Sequence, residues 1–295
     1  IIVYGKECTY ANSEKLSKLP AVQDADVLFA VGGGKAIDSV KLISHYTNNK
    51  PFFTFPTISA TCAATSKVAI VYHEDHVFDS QLYLEGPAVN CFINSQILVE
   101  APIKYVWAGM GDTIAKHYEC EISSRGLDNT YETQLGVAMS IMCAEPIRIN
   151  GVKAMEAAKT HTRNDAFDQA VLAVILTTGL VSNFLTAEFN THIAHAMCYG
   201  FSTQEIVEKN HLHGEIVSYG VLVLLTVDKQ LEERAKWLDV YKAMGLPVKL
   251  ADLEMKIEDM APVYKKAIDV PATDVSPYPI TEQMLEDAVK ALEAL

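Results

Sequence analysis

No C-x-x-C pair occurs among the six cysteines, Cys8, Cys62, Cys91, Cys120, Cys143 and Cys198, which lie scattered along the chain. In a chain of 295 residues that scatter reads as free thiols in a reducing, cytoplasmic compartment. Long apolar runs are missing too. None reaches the roughly 18 residues of a membrane-spanning helix, and the best stretch, Val217 to Val227, is broken by Ser218, Tyr219 and Gly220. Basic residues are scarce, 24 against 37 acidic, and the net charge of -13 argues against a nucleic-acid or anionic-membrane partner. The N-terminus, Ile1-Ile2-Val3-Tyr4-Gly5-Lys6, shows no secretory pattern and no initiator methionine, which fits a fragment, a processed form or an unseen beginning. Internal repeats and low-complexity tracts are also absent. What is present, 49% apolar and 21% charged residues, describes an ordinary globular chain.

The first hundred residues alternate between strand and helix patterns. Asp26 to Val31 is a short apolar run, stopped by Gly32-Gly33-Gly34, and Lys35 to Tyr46 then takes helical spacing through Ile37, Val40, Leu42 and Ile43. Pro51 to Phe55, Val68 to Tyr72 and Ala88 to Ile93 are further strand-like runs. Such alternation predicts an open α/β sheet covered by helices. Beyond Ala101-Pro102 the composition turns helical, with helices expected near 103–123, 130–149, 165–189, 190–200, 214–244 and 281–295 and a proline-rich connection over 262–280. The expected fold is therefore α/β: a Rossmann-like parallel-sheet domain over 1–101, followed by an all-helical domain over 102–295.

A strand, three glycines and a helix form a turn suited to phosphate, because glycine lets the backbone approach and the helix start presents free N–H groups. Asp38 is placed in the first turn of that helix, where it suits the dipole. The run is neither G-x-G-x-x-G nor a P-loop, so a plain tight turn explains it equally well. Pro56-Thr57-Ile58-Ser59-Ala60-Thr61-Cys62-Ala63-Ala64-Thr65-Ser66 follows the next strand and falls at the carboxyl edge of the sheet, where open α/β sheets bind ligands.

Four of the nine histidines, His192, His195, His211 and His213, crowd one stretch. His192 and His195 share a helix face, and imidazoles with a carboxylate suit zinc or iron. Spacing alone does not choose the ligands. Asp112, in Gly109-Met110-Gly111-Asp112-Thr113, is a candidate carboxylate, with a helix N-cap as the plainer reading. Lys116, His117 and Glu119 read as a solvated helix face.

Taken together, Gly32-Gly33-Gly34-Lys35-Ala36-Ile37-Asp38, Pro56 to Thr61, Ala108 to Asp112, Ala194-His195-Ala196-Met197 and His213-Gly214-Glu215 resemble the metal-dependent, iron-containing alcohol dehydrogenases, in the branch near glycerol dehydrogenase. Ala243-Met244-Gly245-Leu246-Pro247 adds a weaker echo. The resemblance implies NAD or NADP in the N-terminal domain and one divalent metal, zinc or iron, in the cleft between the domains. It implies Asp112, His195 and His213 as metal ligands, with His192 and His211 as structural histidines. It also implies a cofactor track through Gly33, Gly34, Lys35, Asp38, Thr57, Ala60, Cys62, Ser66, Val68 and Tyr72. A small alcohol or hydroxy acid as substrate and a homo-oligomeric assembly follow in the same way. About sixty further residues, carrying the first strand–helix unit, are expected ahead of Ile1.

Two positions depart from the family. Cys62 stands where glycerol dehydrogenases carry an aspartate, which removes a hydrogen-bond acceptor for a polyol and a charge that repels an acid. That favours, as the alternative, a dehydrogenase of 2-hydroxycarboxylates acting as a 2-oxo acid reductase. Cys198 replaces a second histidine three residues after His195 and reads as a neighbour of the metal, not a ligand.

Overall fold

Gly32 decides where the first strand ends. Its φ of 150° is backbone that side chains disfavour, and it hands the chain to a helix that begins at Gly34. The computed structural model describes residues 1–295. Its N-terminal part runs α1 (Tyr10–Ser17), α2 (Pro20–Gln23), β1 (Leu28–Gly32), α3 (Gly34–Tyr46), β2 (Phe52–Pro56), β3 (Val68–Tyr72), β4 (Phe78–Tyr83) and β5 (Asn90–Cys91). Its C-terminal part runs α4 (Ser95–Glu100), α5 (Ile103–Ser124), α6 (Tyr131–Thr160), α7 (Asp165–Val171), α8 (Thr178–Phe184), α9 (Ile193–Phe201) and α10 (Glu205–Asn210). It ends with α11 (His213–Val227), α12 (Leu231–Met244), α13 (Ala261–Ile268) and α14 (Glu282–Glu293).

The parallel sheet has the order β1-β2-β5, with Leu28 opposite Phe52 and Gly32 opposite Pro56. Both strands therefore finish at one edge, which puts the glycine turn beside the loop that begins at Thr57. Inward-facing Ala30, Phe52 and Thr54 are buried, while Phe29, Phe53, Phe55 and Phe92 group on the outer face. β3 and β4 form a separate antiparallel hairpin. The main apolar core joins Ala30, Ile37, Ala63 and Ala64 to the helices, so burial is continuous across the two parts.

Several elements differ from the sequence reading. The strand expected over Ala88 to Ile93 shortens to Asn90–Cys91, and β4 has no apolar signal because most of its side chains face water. The helix expected near 130–149 extends as α6 through Pro146 to Thr160, where His161 caps it in the left-handed conformation. The single helix expected over 214–244 is two. It breaks where Lys229 takes a φ of 58° and Arg125 binds the Asp228 carboxylate at 2.8 and 2.9 Å. The connection over 262–280 contains α13, which carries Pro262 in its first turn, where proline is tolerated. From Asp165 to Phe184 the chain is one continuous helix, π-helical over Leu172–Thr177 and long and apolar enough to cross a membrane. More than half of it is buried within the protein, as a core helix requires.

Candidate functional site

Three helices converge because glycines let them touch. A Cβ on Gly214 of α11 would lie 1.9 Å from the Ala108 carbonyl oxygen of α5, and one on Gly111 would lie 2.5 Å from the Gly214 carbonyl oxygen. A Cβ on Gly220 would lie 2.4 Å from the Ala194 carbonyl oxygen of α9. α11 is thus held at backbone contact with both neighbours, and the residues beside these crossings are Asp112, His213 and His195. Their donor atoms lie within 4.8 Å of one another. His195 Nε2 is 3.4 Å, and His213 Nε2 3.5 Å, from the same Asp112 oxygen.

That oxygen, Asp112 Oδ1, is buried and has no hydrogen-bond partner. A buried carboxylate oxygen left bare and facing two imidazole nitrogens is a donor set that fits a divalent cation. Burial pushes the Asp112 carboxyl up, but the two imidazoles outweigh it and hold it far below the usual carboxylate range. Three protein donors would leave positions open on a cation, the pattern of a catalytic site rather than a structural one.

Glu119 holds one of these candidate ligands in place. Glu119 is fully buried, and its Oε2 lies 2.6 Å from His195 Nδ1. Glu119 Oε1 accepts the backbone N–H groups of His192 at 2.7 Å and His195 at 2.8 Å. With Nδ1 engaged by the carboxylate, Nε2 is the ring nitrogen turned toward Asp112, the one a cation would take in place of a proton. Burial lowers the affinity of His195 for a proton, yet Glu119 and Asp112 raise its pKa to about 9. His213, more than half exposed, has Nδ1 at 3.4 Å from Cys198 Sγ.

Residues 3–87 match the family described as iron-containing alcohol dehydrogenase. A glycerol dehydrogenase of Thermotoga maritima is 30% identical, over 99% of this chain and 80% of that protein. The chain belongs to the iron-containing alcohol dehydrogenase family. As a member, it is a metal- and NAD(P)-dependent oxidoreductase acting on alcohols. A solved structure of a probable glycerol dehydrogenase from Sinorhizobium meliloti superimposes with a TM-score of 0.84 at 28% identity, covering 99% of this chain and 83% of that one. Hydroxycarboxylate dehydrogenase A of Escherichia coli is 28% identical, over 99% of this chain and 82% of its own length.

In this family member the glycine turn faces the expected nucleotide edge. Gly33 is the N-cap of α3 without a side-chain cap, and the first backbone bond of the helix is Ile37 N–H to the Gly33 carbonyl, so the N–H groups of Gly34, Lys35 and Ala36 precede it. Ile58 and Thr61 of the following loop pack over Gly33 and Gly34, and Lys35 Nζ stands 4.9 Å from the Tyr72 ring. Thr57 donates its backbone N–H to Gly32. Ala60 packs on Gly109, Cys62 is half-buried, and Val68 and Tyr72 bound β3.

Asp38 is corrected. The helix starts at Gly34, so Asp38 falls in its second turn and points inward to Lys41 Nζ at 2.9 Å and the Ile70 N–H at 3.3 Å. Ser66 is buried against the same ammonium, at 3.4 Å. The N-cap reading of Asp112 is also corrected, because it lies well inside α5. Lys116 and Glu119 are buried, and His117 bonds Ser140, so none forms a solvated face. Glu119 was the residue that sequence reasoning missed. Its place two turns after Asp112 on one helix was the signal available.

Proposed function

We propose that this chain catalyses reversible hydride transfer between NAD(P) and a small alcohol or polyol of the glycerol type. The reaction is assigned to the cleft between a nucleotide domain, 1–101, and a helical domain, 102–295. The observation that carries the reading is the Asp112, His195 and His213 set, with Asp112 Oδ1 buried, bare and 3.4 to 3.5 Å from both imidazoles. A zinc or iron ion held there would supply Lewis acidity to the substrate hydroxyl, and a nicotinamide in the N-terminal domain would supply the hydride acceptor.

The residues divide the remaining work. Asp112, His195 and His213 would hold the cation, and Glu119 sets the His195 tautomer and orientation. Gly33, Gly34 and Lys35 offer the pyrophosphate backbone N–H groups, while the Lys35 ammonium is paired with Glu7 at 2.5 Å. Asp38 and Ser66 act from behind, through Lys41. Thr57, Ala60, Cys62, Val68 and Tyr72 line the track toward the metal. The Pro56–Ser66 loop shields that track from water by packing on α5, where a Cβ on Gly109 would lie 2.3 Å from the Ser59 carbonyl oxygen. A homo-oligomer and a cytoplasmic address belong to the same proposal, the latter supported by six unpaired cysteines.

One observation favours a second substrate class. Burial pushes the Cys62 thiol up, so it is neutral at physiological pH and does not repel a carboxylate. A 2-oxo acid reductase is therefore the alternative, in keeping with the similarity to hydroxycarboxylate dehydrogenase A. Metal-loaded protein assayed with glycerol and NAD(P), and with 2-oxobutanoate and NAD(P)H, separates the two. The expected result is a higher kcat/KM for glycerol. A clear preference for the oxo acid transfers the assignment to the alternative, and inactivity on both overturns the hydride-transfer reading.

A further inference from the structure

The helix from Asp165 to Phe184 changes to π-helical geometry over Leu172–Thr177, spacing its backbone bonds five residues apart. Single π-turns inside α-helices are uncommon and gather at functional sites. Here the turn faces the Pro56–Ser66 loop. The Thr65 hydroxyl donates to the Ile175 carbonyl inside the π-turn. One turn further on, the helix has no side chain in the way: a Cβ on Gly179 would lie 1.9 Å from Thr65 Oγ1 and 3.1 Å from the Thr65 carbonyl carbon.

One more turn along, Asn183 brackets the same segment. Its Nδ2 donates to the Thr65 carbonyl at 2.9 Å, and its Oδ1 accepts the Lys67 N–H at 2.8 Å. Lys67 Nζ returns to the Asn183 carbonyl at 3.3 Å. The loop is also fastened to its own sheet, because Thr54 Oγ1 donates to the Ala64 carbonyl at 2.7 Å. On the far side of the π-turn, Thr178 Oγ1 donates to the Ala173 carbonyl at 2.9 Å and lies 3.4 Å from the Thr113 hydroxyl. Thr113 is the residue after Asp112. An unbroken chain of contacts therefore runs from the loop bearing Cys62, through Thr65, the π-turn and Thr178, to the helix that carries the carboxylate.

We propose that Thr65 and Asn183 are positioning residues: with the π-turn they clamp the Pro56–Ser66 loop to the helical domain and fix its place relative to Asp112, His195 and His213. The clamp deepens the hydride-transfer reading and rests on it, since its purpose is to hold the nicotinamide-side loop in register with the metal side. Hydride transfer needs reacting atoms placed within fractions of an ångström, and a shift of about 1 Å costs as much as a hundredfold in rate. The clamp makes no contact with the three ligand side chains, so its loss leaves the cation in place.

The test uses the metal-loaded protein with Thr65→Val, Thr65→Ser and Asn183→Ala. Hydrogen–deuterium exchange is followed for peptides covering 57–67 and for those of α5, α9 and α11. In Thr65→Val and Asn183→Ala the 57–67 amides are expected to exchange about tenfold faster, with the three helices unchanged and metal content as in wild type. Thr65→Ser keeps the donating hydroxyl and is expected to match wild type. In turnover, kcat falls by about tenfold to a hundredfold in the first two variants, while the alcohol KM stays within about twofold. Unchanged exchange over 57–67 overturns the clamp, and so does faster exchange spread evenly through the helical domain. The exchange readout does not require turnover, so an inactive wild type refutes the hydride-transfer reading without touching the clamp.

Discussion

His192 and His195 stand three residues apart at the entrance to α9, both buried, and the surrounding carboxylates give them opposite properties. Glu119 takes the ring of His195 but only the backbone N–H of His192, whose two ring nitrogens have no partner. Burial therefore dominates at His192 and lowers its pKa to about 4 from the ordinary 6.5. Between those values the unfolded chain binds a proton that the folded one refuses, so stability falls as pH falls through that window. Between about pH 7 and about pH 4.5 the loss from this group comes to about 2–3 kcal/mol. Urea unfolding of wild type and His192→Leu over that range is expected to show a flatter acid limb in the variant. Parallel curves would remove His192 from the account. Four clustered histidines were visible in the sequence, but which rings a carboxylate faces was not. His211 is held by Glu215 at 2.8 Å, away from the metal set, while His195 owes its role to Glu119, 76 positions earlier in the chain.

At the scale of elements, the site exists because α5, α9 and α11 approach to backbone contact. Gly214→Ala inserts a methyl 1.9 Å from the Ala108 carbonyl oxygen and 3.0 Å from Asp112 Cβ, with rigid helix on both sides. The expected cost is about 1–3 kcal/mol or more from overpacking. Because the same movement separates Asp112 from His213, bound metal per chain should fall with it. Thermal unfolding and metal analysis of one preparation check this, and an unchanged melting point with full metal content contradicts it. The strand–glycine–helix unit and most helices were legible because their periodicity and breakers are local. The break between α11 and α12 was not, since it depends on Arg125 reaching Asp228 across 103 residues. Lys41, three residues after Asp38 on the same helix, was a visible partner, but the inward turn was hidden because Ile70 becomes a neighbour only when β3 packs beside α3.

For the whole molecule, two differently built parts share one continuous core and meet where the Pro56–Ser66 loop lies on α5 and on the helix of the π-turn. The motif order in the sequence was enough to reach the family, and the division into an α/β part and a helical part followed from composition. The packing that makes those motifs one site came only with the three helix crossings and Glu119. The net charge of -13 plays no visible part in the chemistry. The central claim is that a divalent cation held by Asp112, His195 and His213 is required for alcohol oxidation. Its most direct test is the rate of NAD(P) reduction with glycerol before chelation, after chelation, and after zinc or iron is returned, with His213→Ala carried alongside. Activity is expected to disappear on chelation and return with metal in the wild type, and to stay absent in His213→Ala. Full activity in the chelated wild type, or in metal-free His213→Ala, would contradict the account.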